Sequence, residues 1–595
     1  MRKKQANTLL LSFVTTVIIV AAIGLLIWFV IWPRIQGVGQ GRQSLWANRD
    51  VIPFHEFFSL DPGTPQVVFD DERLQHVTAP IVEYRGGVYQ VYLPASFLRE
   101  AVDPFLFWDE SAHTFFASTR YEMLEFVPEL RNFYVNGVSR PLDTPVIRVD
   151  GEVFMPADLV QGLYPLIIEF QPEYNIVVVT SALLPQTTAI VSTNNASVRY
   201  RPENRAAIAV QLDQYDKVVV LGDTSSDFVR VRTPQGLLGY IATVEIDDIT
   251  TVESLPGRLP ILHAWIDNTT PHSPNWSGGP INLVWESAHN QDANAIRMQT
   301  PFHSSVTVVS PTWFDFNLEN LNLTTNVSRA YVEWAHQQGV YVWPMVFDTN
   351  NATARAILMN RDARRTVINQ IIHYVDVYNL DGVNIDIEHL LNAAEGPYKI
   401  QFLRELAIPM RSRGVVFSSA VKPPAPWTMF YRRDLIALTV DFVMVMTYDQ
   451  HYNSSAVSGP VASLPWVAQS VMDMLQEVPR EQLLMGLPFY NRVWREVVLD
   501  DGPPRALNWS MDRTRDFFEE HGVDWEWDAE IGSYYGEVGA IEDGEAVLYR
   551  VWLECERSIA AKMQIYVVHD LAGVASWRRQ FETEGVWDVL ARHFP

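Results

Sequence analysis

The feature that most constrains this chain is the run at residues 380–388, Leu-Asp-Gly-Val-Asn-Ile-Asp-Ile-Glu, in which apolar and polar side chains alternate. A strand points successive side chains to opposite faces. Val383, Ile385 and Ile387 therefore share one face, and Asn384, Asp386 and Glu388 the other. On a half-exposed strand the polar face would simply meet water. The preceding residues, 364–378, carry a helical pattern, however, and strands alternating with helices predict a parallel sheet covered by helices on its outside. The polar face would then point into a barrel, with its carboxylates near the C-terminal end of the strand, where barrel enzymes keep their active sites.

Residues 258–595 have the length for eight such strands. They are expected at 261–266, 306–310, 340–347, 382–388, 415–421, 442–447, 483–487 and 573–577, with helical stretches between most of them. At 595 residues and 48% hydrophobic, the chain is globular and too long for one core. The expected fold class is multidomain: a C-terminal (β/α)8 TIM barrel, preceded by a small all-β SH3-like barrel and a β-rich repeated domain.

The octapeptide Asp381-Gly382-Val383-Asn384-Ile385-Asp386-Ile387-Glu388 resembles the Asp-Gly-x-Asp-x-Asp-x-Glu signature of family eighteen glycoside hydrolases, the chitinase-like barrels. Asn384 stands where the first core Asp is usual, a departure that recurs in the bacterial branch containing spore cortex-lytic N-acetylglucosaminidases. Segments 309–314, 446–451, 459–466, 486–490 and 572–577 resemble the same branch. Asp386 and Glu388 would lie about 6–7 Å apart on one face, on the same side of a bound sugar. That suits substrate-assisted catalysis, in which the sugar's own 2-acetamido oxygen attacks the anomeric carbon.

The resemblance implies Glu388 as general acid, its proton kept by a neighbouring ionised Asp386. It implies Asp386 as acceptor for the acetamido N–H, with Tyr448 and Asp449 holding that group from its other side. Asn384 would orient Asp386 through its amide, and Trp577 would floor the sugar site. Trp313, Trp343 and Tyr490 stand between subsite lining and core packing. No cofactor is expected. No metal is expected either, since His389 and His451 have no acid or second His at helical metal spacing.

Before the barrel, Met1-Arg2-Lys3-Lys4 precedes an uncharged, mostly apolar stretch at 8–32, longer than a signal-peptide core and without a clear small-residue cleavage site. Residues 1–35 are therefore expected to be a cytoplasmic tip and transmembrane anchor, with the rest extracytoplasmic; a cleaved signal peptide is the alternative. Residues 51–184 hold an internal repeat, Val91-Tyr92-Leu93-Pro94-Ala95 returning as Val153-Phe154-Met155-Pro156-Ala157. The repeat resembles the copper amine oxidase N-terminal-like domain, although no His cluster suggests copper. Residues 186–250 are short β runs separated by turn residues, which predict a small barrel. They resemble bacterial SH3 domains at 197–202 and 239–241, as a linker or as a ligand binder.

A net charge of -25 excludes the clustered basic surface that nucleic acid needs, and a single cysteine, Cys555, excludes an internal disulfide. The expected function is a membrane-anchored retaining glycosidase acting on N-acetylglucosamine polymers, with peptidoglycan favoured over chitin. The alternatives are a catalytically silent glycan-binding protein, a chitooligosaccharide hydrolase and an envelope scaffold. Residues 494–530 are a candidate loop over the barrel mouth.

Overall fold

A computed structural model describes residues 48–594, apart from 76, 256, 272 and 499–501. The expected anchor at 8–32 lies outside the described residues. Among those described, no helix is long and apolar enough to cross a membrane. The chain divides into two compact units, one ending at Val102 and resuming as Leu142–Ile266, the other formed by Asp103–Pro141 with Asp267–Pro595.

In the first unit the sequence repeat is a structural one. Strand Val88–Pro94 runs into helix Ala95–Ala101, and strand Glu152–Pro156 into helix Ala157–Leu163. A proline with extended backbone precedes each helix, a residue that starts a helix but cannot continue one. The two strands pair antiparallel, Phe154 opposite Pro94. Residues 186–252 form a seven-stranded antiparallel sheet around Val191, Val198, Val218, Val231 and Ile241.

The run at 261–266, expected as the first barrel strand, is not a strand. Its Ile261 and Ile266 amides donate to the carbonyls of Gly162 and Leu163 at the end of the second repeat helix. The Ile261 side chain fills the space that a Cβ on Gly162 would need. Its apolar character comes from this docking rather than from a sheet.

The barrel strands are β1 Ile281–Glu286, β2 Val308–Pro311 continuing as Phe314–Asn317, β3 Tyr341–Val342 continuing as Met345–Phe347, and β4 Gly382–Asp386. They are completed by β5 Val416–Val421, β6 Phe442–Val445, β7 Leu483–Pro488 and β8 Gly573–Trp577. Neighbours pair in parallel, and β8 pairs with both β7 and β1, which closes the barrel. Trp285, Met345, Phe442, Met444 and Leu484 fill its interior. Val383, Ile385 and Ile387 face outward and share a core with Leu403 and Leu406 of helix Gly396–Ser412. The alternation read in β4 is thus the alternation of a barrel wall.

Two further pieces complete this unit. Between β7 and β8 the chain builds a five-stranded antiparallel sheet from Tyr490–Val497, Arg505–Ser510, Glu526–Asp528, Ser533–Glu542 and Glu545–Leu553, with helix Met511–Glu520. Residues 494–530 are therefore part of a small α+β insertion and not a loop. The other piece is the meander Asp103–Pro141. Buried Arg364 reaches from the barrel to Asp109, and also bonds Glu405 and the Leu358 carbonyl. Arg404 bonds Ser118 and Asn268 and stacks over Phe105.

Candidate active site

β4 ends at Asp386, and the next three residues turn across the mouth of the barrel. Three side chains from three elements fix that turn. The buried Asp348 carboxylate, just beyond β3, accepts from the Glu388 amide at 3.0 Å and the His389 amide at 3.1 Å. Lys399, buried on helix Gly396–Ser412, donates to the Ile387 carbonyl at 3.1 Å. The Tyr431 hydroxyl donates to the Glu388 carbonyl at 2.8 Å. The backbone beneath Glu388 is thus held on both sides.

Above it lies a cleft of about 440 Å³ lined by Asp386, Glu388, Tyr448, Asp449, Tyr490 and Trp577, all six expected from the sequence. The same wall carries Trp285, Met446, Asn453, Arg492, Asn508, Arg578 and Phe581, which were not expected. Trp285 was missed because β1 was placed 20 residues early. Arg492 and Asn508 lie on the first two strands of the insertion; of the two, Asn508 falls within the 494–530 segment expected as a loop, and Arg492 lies just before it.

Asp386 is 8% exposed and its Oδ1 has no hydrogen-bond partner among the described residues. Burial, then the charges of Glu388 and Asp348, push its carboxyl well above the ordinary range, with Lys399 and Lys422 opposing. The Lys422 ammonium sits 3.3 Å from Glu388 Oε2. Asp386 is the deeper carboxyl, whereas the Glu388 side chain is 32% exposed.

Tyr448 lies edge-on to Tyr490, ring centroids 6.1 Å apart, and burial holds its hydroxyl well above the usual phenol range. The Tyr490 hydroxyl donates to Asp449 Oδ1, which also accepts from Arg492 at 2.7 Å. Asp449 therefore ties the end of β6 to the insertion. Trp577 leans on Trp285, centroids 6.1 Å apart.

Three expected substrate-binding residues lie elsewhere. Asn384 is fully buried below the cleft; its Oδ1 accepts from Trp285 Nε1 at 3.1 Å and its Nδ2 donates to Ser418 Oγ at 3.2 Å. It bonds Trp285 of the cleft wall and, among the described residues, makes no bond to Asp386. Trp313 is buried against Tyr331, its Nε1 donating to Asn294. Trp343 fills the barrel interior against Trp276 and Phe442. Among the described residues no group of acids, His and Cys could hold a metal ion; His389 bonds Asp348 and His451 bonds the Pro460 carbonyl.

Residues 348–582 match the model of glycosyl hydrolases family 18. This chain is a glycoside hydrolase. In the hydrolase, residues 68–179 also match the copper amine oxidase N-terminal domain. It is 24% identical over 385 residues to "Putative sporulation-specific glycosylase YdhD" of Bacillus subtilis (strain 168), covering 60% of this chain and 87% of that protein. It is 25% identical over 247 residues to the "Cortical fragment-lytic enzyme" of the same organism, covering 40% of this chain and 56% of that one. Among solved structures, the C-terminal domain of a "putative chitinase" from Desulfitobacterium hafniense DCB-2 aligns with TM-score 0.48 and 23% identity, over 53% of the hydrolase and 100% of that chain.

Proposed function

We propose that the hydrolase cleaves β-glycosidic bonds of N-acetylglucosamine-containing polymers with retention, by substrate assistance, and that its polymer is peptidoglycan. The observation that carries this is the buried Asp386 oxygen with no partner, on the floor of the cleft that also holds Glu388 and Tyr448. A buried acceptor with nothing to accept from costs about 1–3 kcal/mol. An acetamido N–H from the sugar relieves that cost and favours the ionised form of Asp386. The proton it gives up is then available to Glu388, so the pair works with one proton between two carboxyls.

The steps follow from that arrangement. Glu388 protonates the glycosidic oxygen, the acetamido oxygen attacks the anomeric carbon, and the C–O bond breaks. Asp386 stabilises the positive ring that results. Glu388, now ionised, takes a proton from water as its oxygen adds to the same carbon, restoring the acetamido group and the anomeric configuration. The names of the two Bacillus relatives, a sporulation-specific glycosylase and a cortical fragment-lytic enzyme, favour wall glycan. We further infer an extracytoplasmic enzyme anchored through residues 8–32, with the β domain at 186–252 as an SH3-like wall contact.

The test incubates the full chain, wild type beside Glu388→Gln, with purified peptidoglycan and with chitin oligosaccharides, and reads products by mass spectrometry. New reducing ends at N-acetylglucosamine from wild type alone, chiefly from peptidoglycan, are expected. No cleavage of either polymer by wild type would overturn the reading.

A further inference from the structure

The cleft holds two guanidinium groups with different surroundings. Arg492 is taken up by Asp449 and the His451 carbonyl. Arg578, directly after the Trp577 floor, has neither an ion pair nor a side-chain hydrogen bond among the described residues. Its guanidinium carbon lies over the Phe581 ring, 3.9 Å from the centroid, a contact that uses none of its N–H donors.

The charged groups around Arg578 do not neutralise it. Glu286 is already bonded to Arg579 and Tyr331. Glu582 accepts from Trp587 Nε1 at 3.0 Å and from the Phe581 amide at 3.1 Å. Arg297, whose Nε bonds the Ser287 carbonyl, adds a like charge nearby. A partly buried cation on the wall of a ligand cleft, with its acidic neighbours engaged elsewhere, suits an anion that arrives with the ligand. A chitin-like polymer carries no such group, whereas a muramic residue without its peptide carries a lactyl carboxylate.

Resting on the proposed peptidoglycan activity, we propose that Arg578 binds the lactyl carboxylate of a peptide-free N-acetylmuramic residue and so selects acidic wall glycan over neutral N-acetylglucosamine polymers. One charge-assisted hydrogen bond made only by the acidic substrate gives a preference of about 10- to 100-fold.

The experiment uses the full chain with peptide-free N-acetylglucosamine–N-acetylmuramic acid oligomers, and with the same oligomers converted to lactyl methylamides. The quantity read is the ratio of kcat/KM for acid over amide. Wild type should show the preference, Arg578→Gln should bring the ratio close to one, and Arg578→Lys should keep part of it. A wild-type ratio near one, or an unchanged ratio in Arg578→Gln, would overturn the proposal. If wild type cleaves neither oligomer, the hydrolytic reading fails. The inactive Glu388→Gln protein then decides separately: binding of the acid form over the amide, lost in Glu388→Gln/Arg578→Gln, supports the Arg578 site, and equal binding of both forms refutes it.

Discussion

Replacing Lys399 by methionine should separate stability from catalysis. Burial lowers the Lys399 ammonium from 10.5 to about 8, against the pull of Asp386, Asp348 and Glu388. That drop corresponds to roughly 3 kcal/mol of penalty on the charged form. Because the folded pKa lies below the unfolded one, the penalty is fully present below pH 8. Between pH 8 and 10.5 the unfolded chain still holds the proton that the folded chain has lost, so stability rises with pH across that window. Methionine removes the penalty but leaves the Ile387 carbonyl without its 3.1 Å donor, a loss of about 1–3 kcal/mol. At pH 7 the two effects nearly cancel, and Lys399→Met should melt within about 2 kcal/mol of wild type, its relative advantage fading as pH passes from 8 to 10.5. Catalysis has no such compensation. The turn carrying Glu388 loses one of its three fixings and the carboxyl cluster its buried cation, so kcat should fall about 10- to 100-fold. Thermal melting from pH 6 to 10, beside kcat on wall glycan, checks both. A variant destabilised by more than about 3 kcal/mol at pH 7, or one with wild-type kcat, would refute the reasoning.

Other changes follow from the same cluster. Glu388→Gln should lower hydrolysis by about 10²- to 10⁴-fold, with melting unchanged because the side chain is 32% exposed and, among the described residues, bonded only to Lys422; parallel melting and rate measurements read this directly. Asp386→Asn should be inactive yet more stable at neutral pH. The raised carboxyl of Asp386 contributes stability below its ordinary range that is lost as pH rises through the folded value, so variant and wild type should melt together near pH 3 and separate by about 1–4 kcal/mol at pH 8. Equal melting at both pH values would sink that assignment. Asn384→Asp should lose about 1–3 kcal/mol, since a carboxyl would replace the amide that faces Ser418 Oγ and Met444 Sδ in full burial. It should also alter the pH–rate curve by placing a titratable group under the cleft, and an unchanged curve would count against that.

What the sequence disclosed followed from periodicity. β4 was legible because a barrel wall imposes strict alternation, and Asp386 and Glu388 stand out as charges in an apolar run. The β1 strand was not, because residues 261–266 and 281–286 are both mostly apolar and only pairing decides which enters the sheet. That one displacement hid Trp285, and with it the partner of Asn384. Trp313 and Trp343 show the converse: an aromatic near a motif can reach a sugar or fill a core, and both are fully buried. Lys399 and Tyr431 were beyond sequence reasoning, since nothing in a helix pattern says which buried residue will meet a backbone carbonyl from another element.

The meander Asp103–Pro141 also fixes an order of events during synthesis. Its Phe107, Phe116 and Met123 pack with Tyr398 and Ile408 of the barrel helix, and its Asp109 pairs with Arg364, all encoded more than 200 residues downstream. At about 5–20 residues per second, the meander waits on the order of tens of seconds for the surface it covers, with an aromatic face unpartnered in the interval. The segments on either side of it, by contrast, belong to the unit that is complete by Ile266. The hydrolase therefore cannot mature strictly from its N-terminus onward.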